Sequence, residues 1–201
     1  MLKWIRTIAW VMVAAIAGAM AWVILGGGPG GFSGGRAPLS AAVGGPFELS
    51  SHDGKRISEQ TLKGKPFAIF FGFTYCPDVC PTSLLDMSNQ IKELGADAQK
   101  MRFVFVSVDH ERDTPDQLKL YLSSFDPAII GLTGTAAEIA DITRKYRVLY
   151  EKVQTKDGYT INHTATVYLM DADGKFSGTL AYQEDAKTAV EKLRRLVRTV
   201  K

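Results

Sequence analysis

The sequence predicts an α/β domain, a mixed sheet flanked by helices, with one transmembrane helix at its N-terminus. The uncharged apolar stretch Thr7–Leu25 is long enough as a helix to cross a hydrocarbon core of ~30 Å. After residue 47, apolar runs of strand length alternate with segments that have helical periodicity. The length of 201 residues suits one globular domain in addition to the N-terminal segment.

The basic residues at the N-terminus predict the orientation of this helix. Lys3 and Arg6 precede the apolar stretch, and no charged residue follows until Arg36. Positively charged flanks stay on the cytoplasmic side of a membrane. We therefore expect residues 1–6 in the cytoplasm, a transmembrane anchor at 7–25, and export of the rest of the chain.

A cleaved signal peptide is the alternative interpretation of the same segment. Alanine-flanked tripeptides at 17–19 and 19–21 resemble the small-residue sites at which signal peptides are cut. However, the apolar run continues through Trp22–Leu25, beyond both sites. We therefore favour an uncleaved anchor, and either interpretation predicts an exported domain.

The glycine-rich segment at 26–36, GGGPGGFSGGR, predicts a flexible linker, since it has too little apolar surface to fold. The folded domain is then expected at 37–201.

The chain has 24 basic and 21 acidic residues, and three of the basic residues lie within the first 36 positions, which include no acidic residue. The domain is therefore formally neutral, and its charge gives no reason to expect a nucleic-acid partner.

The first half of the domain is predicted to begin with a hairpin at 47–58 that turns at His52–Gly54. The run FAIFFGF at 67–73 is almost continuously apolar, as in a strand that is covered on both faces. A helix is expected from 81 to 94, with apolar residues on one side and Gly95 as its stop. The apolar strand therefore ends close to the start of this helix.

The second half of the domain continues the alternation of strands and helices. Thr114 and Thr135 are suitable helix caps, and Glu138 completes a capping box with Thr135. The predicted elements are strands at 103–108, 129–132, 166–170 and 178–182, and helices at 114–123, 135–146 and 184–197. In mixed sheets of this kind, functional groups gather where strand ends lead into helices.

The chain has two cysteines, Cys76 and Cys80, at the start of the helix that contains Pro81. Residues four apart on a helical turn share a face, with Cα atoms on the order of 6 Å apart. This separation permits either a shared metal ion or a disulfide. A stabilising disulfide is the simpler interpretation for an exported protein, but so short a loop removes little entropy from the unfolded chain. We therefore favour a functional pair.

A third metal ligand would have to be His52, His110 or His163. The predicted fold is thioredoxin-like, and in that topology the loop before the strand at 166–170 faces the cysteine turn. That loop usually carries a proline, but this sequence has no proline after Pro127. Because His163 occupies this place, it is the predicted third ligand.

Two thiolates and one imidazole suit copper in either common oxidation state, because thiolates select Cu(I) and imidazole accepts Cu(II). Zinc accepts the same ligands, so these residues leave both metals open. Asp78 and Asp109 are candidates for orienting the ligands from outside, with a solvated carboxylate or a helix cap as the simpler role for Asp78. Glu111, Arg112 and Asp113 are expected to form a local charge network.

The segment Gly72–Thr82, GFTYCPDVCPT, closely resembles the signature of the SCO/SenC family of copper-binding assembly factors. The motifs Ser107–Asp109, Glu111–Thr114, Gly131–Gly134 and Asn162–Thr164 follow in the order found in the family. The resemblance extends over roughly Phe47–Tyr182. Two departures are Tyr75, where many members have histidine, and His110, where proline is common.

The resemblance implies a thioredoxin-like domain on a single membrane anchor, with one copper ion, Cu(I) or Cu(II), held by Cys76, Cys80 and His163. It implies a part in building the dinuclear copper A centre of cytochrome c oxidase, as copper donor, thiol reductant or both. The implied partner is the copper A-bearing subunit, and a second copper chaperone is a candidate donor. The implied location is the inner membrane with the domain on the periplasmic side, or facing the intermembrane space in a mitochondrion.

Three functions therefore compete for this sequence: a copper chaperone, a thiol–disulfide oxidoreductase that reduces partner cysteines, and a copper or redox sensor. The spacing of three residues between the cysteines and the missing late proline favour the chaperone over the oxidoreductase, which would be the enzyme of the three. Nothing in the sequence separates the chaperone from the sensor.

Overall fold

The computed structural model describes residues 2–24, 43–156 and 158–199, which fall into an N-terminal unit and a unit that begins at Ala42. The first is a single helix, α1, at Leu2–Ile24. Across the described ranges, no helix combines the length and the apolar character needed to span a membrane. The predicted linker at 26–36 lies outside the described residues.

The main sheet of the second unit contains seven strands. The strands in chain order are β1 Glu48–Ser51, β2 Arg56–Ser58, β3 Phe67–Gly72, β4 Arg102–Ser107, β5 Ile129–Thr133, β6 Tyr150–Thr155, β7 Gly158–His163, β8 Val167–Met170 and β9 Phe176–Leu180. Their order in the sheet is β2-β1-β5-β4-β3-β8-β9, in which β3, β4 and β5 are parallel and the outer pairings are antiparallel. The predicted mixed sheet is therefore confirmed.

The helices begin and end close to the predicted positions. The predicted helices are α3 Val79–Leu94, α4 Pro115–Leu122, α5 Ala136–Tyr146 and α6 Ala186–Arg198. A short helix, α2 Glu59–Leu62, and a 3-10 helix at Gly95–Lys100 were not predicted. The Thr114 side chain accepts from the Gln117 amide, and Thr135 and Glu138 form the expected capping box. Helix α3 begins at Val79, before the predicted Pro81, so Cys80 lies inside its first turn.

Strand β3 lies in the interior of the sheet and is buried at every residue, as the unbroken apolar run predicts. It pairs with β4 on one side and with β8 on the other. Aromatic residues dominate its surroundings, with Phe70 against Phe105 and Phe71 against Tyr146. The C-terminal end of this rigid strand leads directly into the cysteine turn.

A second, two-stranded sheet formed by β6 and β7 was not predicted from the sequence. It is antiparallel, with Tyr150 paired to His163 and Thr155 to Gly158. β6 is mostly exposed and β7 is mostly half-buried, and both are rich in polar residues, so they lack the apolar alternation that identifies a half-buried strand. His163 is consequently the last residue of a strand, and not part of a loop as the sequence suggested.

Candidate metal centre

The cysteine turn is shaped by backbone hydrogen bonds between the end of β3 and the start of α3. The Cys76 amide donates to the Phe73 carbonyl at 3.3 Å. The Cys80 amide, in the first turn of α3, donates to Cys76 Sγ at 3.4 Å. Amides in a first helical turn have no carbonyl partner within the helix, so one of them is available to the sulfur. Cys80 is fully buried, and Cys76 is half-buried.

The imidazole of His163 faces the cysteines through Nε2, which lies 3.3 Å from Cys80 Sγ. Its other nitrogen, Nδ1, lies 3.1 Å from the carbonyl oxygen of Thr164. Because a carbonyl only accepts, Nδ1 carries the hydrogen and Nε2 presents its lone pair to the sulfur. Phe70 and Phe73 contact the ring edge-on, with centroid distances of 6.1 and 5.8 Å.

The donor atoms of Cys76, Cys80 and His163 all lie within 4.8 Å of one another. Within the part of the chain that the structure describes, no other three His, Cys, Asp or Glu side chains converge in this way. His52 lies elsewhere, where Nδ1 accepts from the Gly131 amide at 2.9 Å, and His110 is exposed. The structure therefore brings together the three residues that the sequence selected.

The two thiols differ in acidity because they share one hydrogen bond. A hydrogen bond from Cys80 lowers the pKa of Cys76, and hydrogen bonds from backbone amides act in the same direction. The same bond, together with burial, raises the pKa of Cys80. Cys76 is therefore the first thiolate to form in the metal-free protein, and a bound cation would favour ionisation of both.

Gly72, the last residue of β3, allows the Cys80 thiol to lie against the strand. A Cβ at this position would lie 2.6 Å from Cys80 Sγ and 2.8 Å from the Phe105 ring, and neither approach is sterically tolerable. Gly72 was not predicted to take part in the site. The available signal is a glycine that interrupts an apolar strand, which often marks a close approach by another group.

A buried carboxylate fixes the start of the cysteine turn. Asp113 accepts from the Thr74 amide at 2.8 Å and from the Thr74 hydroxyl at 2.7 Å. It also accepts from the Ser107 hydroxyl at 2.5 Å. Burial raises the pKa of Asp113, although these hydrogen bonds oppose that shift. Asp113 therefore positions the turn, and does not join a charge network with its neighbours as the sequence predicts.

The two aspartates proposed as orienting residues differ in their contacts. Asp78 occupies the N-cap position of α3 and is exposed, as expected of a solvated carboxylate, but its side chain makes no capping bond. Asp109 is buried and accepts from Tyr159 Oη at 2.8 Å, which connects it to strand β7. Among the residues that the structure describes, the Thr164 carbonyl is the hydrogen-bond partner that orients His163. Neither Asp78 nor Asp109 forms a hydrogen bond with the imidazole.

An open cleft of about 270 Å³ gives access to the centre. It is lined by Phe73, Cys76, Pro77, Asp78, Val79, Thr160, Ile161, Asn162, His163 and Ala165. Cys76 and His163 therefore face the cleft, whereas Cys80 lies beneath them and is shielded from solvent. A molecule that approaches through the cleft would meet Cys76 or His163 before Cys80.

Comparison with known proteins agrees with this arrangement of site and fold. The family model described as SCO1/SenC matches residues 36–198. The chain belongs to the SCO1/SenC family. It is 42% identical over 163 residues to "Protein SCO2, mitochondrial" of Saccharomyces cerevisiae, a match that covers 79% of the chain but only 54% of the yeast protein.

Solved structures of SCO1/SenC members have the same thioredoxin-like fold. Copper-bound ScoI of Bradyrhizobium japonicum is 51% identical with a TM-score of 0.73, over 77% of this chain and 99% of that one. BsSco, described as a member of the Sco family of cytochrome c oxidase assembly proteins with a disulfide switch, is 27% identical. That comparison has a TM-score of 0.65 and covers 80% of this chain and 95% of BsSco.

Proposed function

We propose that this SCO/SenC protein is a copper chaperone that assembles the dinuclear copper A centre of cytochrome c oxidase. It carries one copper ion, bound by Cys76, Cys80 and His163. The observation that carries the proposal is the convergence of these three donors within 4.8 Å at the base of an open cleft. The partner is the copper A-bearing subunit, and a second copper chaperone is the candidate source of the metal.

Two thiolates and one imidazole suit a metal ion that the protein binds and then passes to a partner. Thiolates hold Cu(I) and imidazole accepts Cu(II), so the ion stays bound in either state. Zinc fits the same donors, but the copper-bound relative of 51% identity supports copper. Because the cleft exposes Cys76 and His163, an incoming thiol of the partner can approach the ion while Cys80 still holds it from below.

A transfer experiment tests the chaperone function. Full-length, reduced protein loaded with Cu(I) in detergent is mixed with a soluble copper A domain whose cysteines are reduced. We expect copper to appear on the copper A domain, measured spectroscopically after separation, while Cys76 and Cys80 remain free thiols by alkylation and mass spectrometry. Copper retained on the donor, or transfer only with oxidation of both cysteines, would contradict the chaperone.

A thiol reductant is the second candidate, and the asymmetry of the cysteine pair favours it over the sensor. The lowered pKa of Cys76 provides a thiolate for attack on a disulfide, and buried Cys80 lies next to it to resolve the mixed disulfide. The disulfide switch described for BsSco is consistent with this chemistry. Rapid reduction of a disulfide-containing copper A domain, without copper transfer, would favour this function.

We further propose that the N-terminal segment anchors the domain at the outer face of the inner membrane. The support is the uncharged stretch at 7–25 behind Lys3 and Arg6 in the sequence. We expect full-length protein to stay with membranes after a high-salt wash and to lose its domain to protease added from the periplasmic side. Recovery of the intact chain in the soluble fraction would contradict the anchor.

A further inference from the structure

His163 lies on an element that does not belong to the main sheet, so its alignment with the cysteines depends on how that element is attached. Strands β6 and β7 pair only with each other among the strands of the structure's described part. Ile161 is buried in the core, whereas most neighbouring residues of the hairpin are exposed or half-buried. Side-chain contacts of the hairpin therefore contribute to the position of the imidazole, together with the backbone bond from the Thr164 amide to the Leu149 carbonyl.

Arg112 makes several of these contacts at once. Its Nη1 donates to the backbone carbonyl of Tyr159 on β7 at 3.0 Å. Its guanidinium carbon lies 3.7 Å from the centre of the Tyr159 ring. Its Nε donates to buried Asp109 at 2.5 Å, and Asp109 also accepts from the Tyr159 hydroxyl at 2.8 Å. The hairpin is thus joined to the loop after β4 through Tyr159, which bonds to both members of an ion pair within that loop.

The same guanidinium also reaches the cysteine turn. It lies 4.7 Å from the Tyr75 ring, next to Cys76, and 5.8 Å from the Phe73 ring. Phe73 in turn contacts the edge of the His163 ring. A planar guanidinium stacks on aromatic faces while it donates hydrogen bonds in its own plane, and a lysine ammonium lacks this geometry.

We propose that Arg112 is a positioning residue that holds the β6–β7 hairpin against the cysteine turn, so that His163 Nε2 meets the two sulfurs. This inference rests on the proposed copper site but assigns a role to a side chain outside the ligand set. The sequence predicts only a local charge network for Arg112. Its contacts instead span both elements that supply the ligands.

The test compares Arg112→Lys with the parent chain, each with and without His163→Ala. Lysine keeps a positive charge that can pair with Asp109, but it lacks the planar guanidinium that stacks on the aromatic rings and donates hydrogen bonds in its plane. We expect Arg112→Lys to weaken Cu(I) affinity about 10–100-fold when His163 is present, the range for partners that orient a ligand. With His163→Ala already present, we expect less than about a two-fold further loss. Affinity is measured by competition with a colorimetric chelator.

Lys152→Met is the matched control, because Lys152 also connects the hairpin to the same loop. Its ammonium lies 4.0 Å from the Tyr159 ring centre and pairs with Glu111 at 2.6 Å. Both partners of this pair are exposed at the surface, so its removal should change copper affinity by less than about two-fold. A loss equal to that of Arg112→Lys would contradict a specific role for Arg112.

Amide hydrogen exchange of the metal-free protein provides a readout that does not depend on copper. We expect Arg112→Lys to accelerate exchange in β6 and β7 and to leave β3 and β4 unchanged. Uniform acceleration across the domain, or equal affinity losses with and without His163, would show a general structural effect and overturn the proposal. If the parent binds no copper, the proposed function fails, and hairpin exchange alone then decides the role of Arg112.

Discussion

Replacing Cys80 with serine should abolish tight copper binding, and Cys76→Ser and His163→Ala should each weaken it more than about 100-fold. Loss of a group that only orients a ligand costs about 10–100-fold, so loss of a ligand should exceed this range. Cys80 is expected to matter most, since its buried sulfur lies 3.3 Å from His163 Nε2 beneath the cleft. Competition with a Cu(I) chelator under anaerobic conditions measures each affinity.

His110→Ala is the control for this series, because His110 is exposed and lies outside the convergent donors. The Cu(I) affinity of His110→Ala should equal that of the parent chain. If His163→Ala binds copper like the parent while His110→Ala does not, the assignment of the third ligand is wrong. Circular dichroism of each variant distinguishes loss of a ligand from loss of fold.

Gly72→Ala extends the series from removal of a ligand to its displacement. The added methyl would lie 2.6 Å from Cys80 Sγ, so the thiol must move away from β3. We expect a reduction in affinity that is smaller than that of Cys80→Ser, with both thiols still titratable. An affinity equal to that of the parent would show that the centre tolerates this displacement.

The sequence predicted the main sheet well because its strands carry a strong physical signal. The run FAIFFGF is apolar throughout since β3 is buried on both faces. Helix α5 was equally clear, because Thr135 and Glu138 form a capping box. The cysteine pair was identifiable because a turn between a buried strand and a helix is a common place for a site.

The parts that the sequence did not predict depend on contacts between distant residues. The β6–β7 hairpin is rich in polar residues, so no periodicity marks its strands. Arg112 and Tyr159 meet only in the folded chain, so the sequence indicated only charge pairing of Arg112 with its neighbours. Asp78 has a suitable type and position for a cap, but its side chain makes no capping bond.

Oxidation of Cys76 and Cys80 to a disulfide should prevent copper binding, and reduction should restore it fully. Metal ligation requires thiolates, whereas a disulfide has neither a proton to lose nor a negative charge to offer. The two sulfurs lie within 4.8 Å in the reduced protein, and a bond of about 2.0 Å requires them to move together. His163 would then be the only one of the three ligands still available.

Full-length protein treated with diamide tests this exclusion. The oxidant takes two electrons from the cysteines, whose two protons pass to the diamide as the sulfur–sulfur bond forms. We expect no free thiols and a Cu(I) affinity more than about 100-fold below that of the reduced protein, a larger loss than that of an orienting residue. Affinity should recover after reduction with a phosphine and removal of the reagent.

His163→Ala is the informative control for the redox step, because it lacks a ligand but keeps both cysteines. It should form the disulfide to the same extent as the parent, which separates oxidation of the pair from occupancy of the centre.

Because the pKa of Cys76 is lowered, its thiolate persists below the pH at which an ordinary cysteine is protonated, and oxidation should remain efficient at pH 6. Oxidised protein that has no free thiols yet binds Cu(I) as tightly as the reduced form would show that the sulfurs are not ligands, and the chaperone proposal would fail with them.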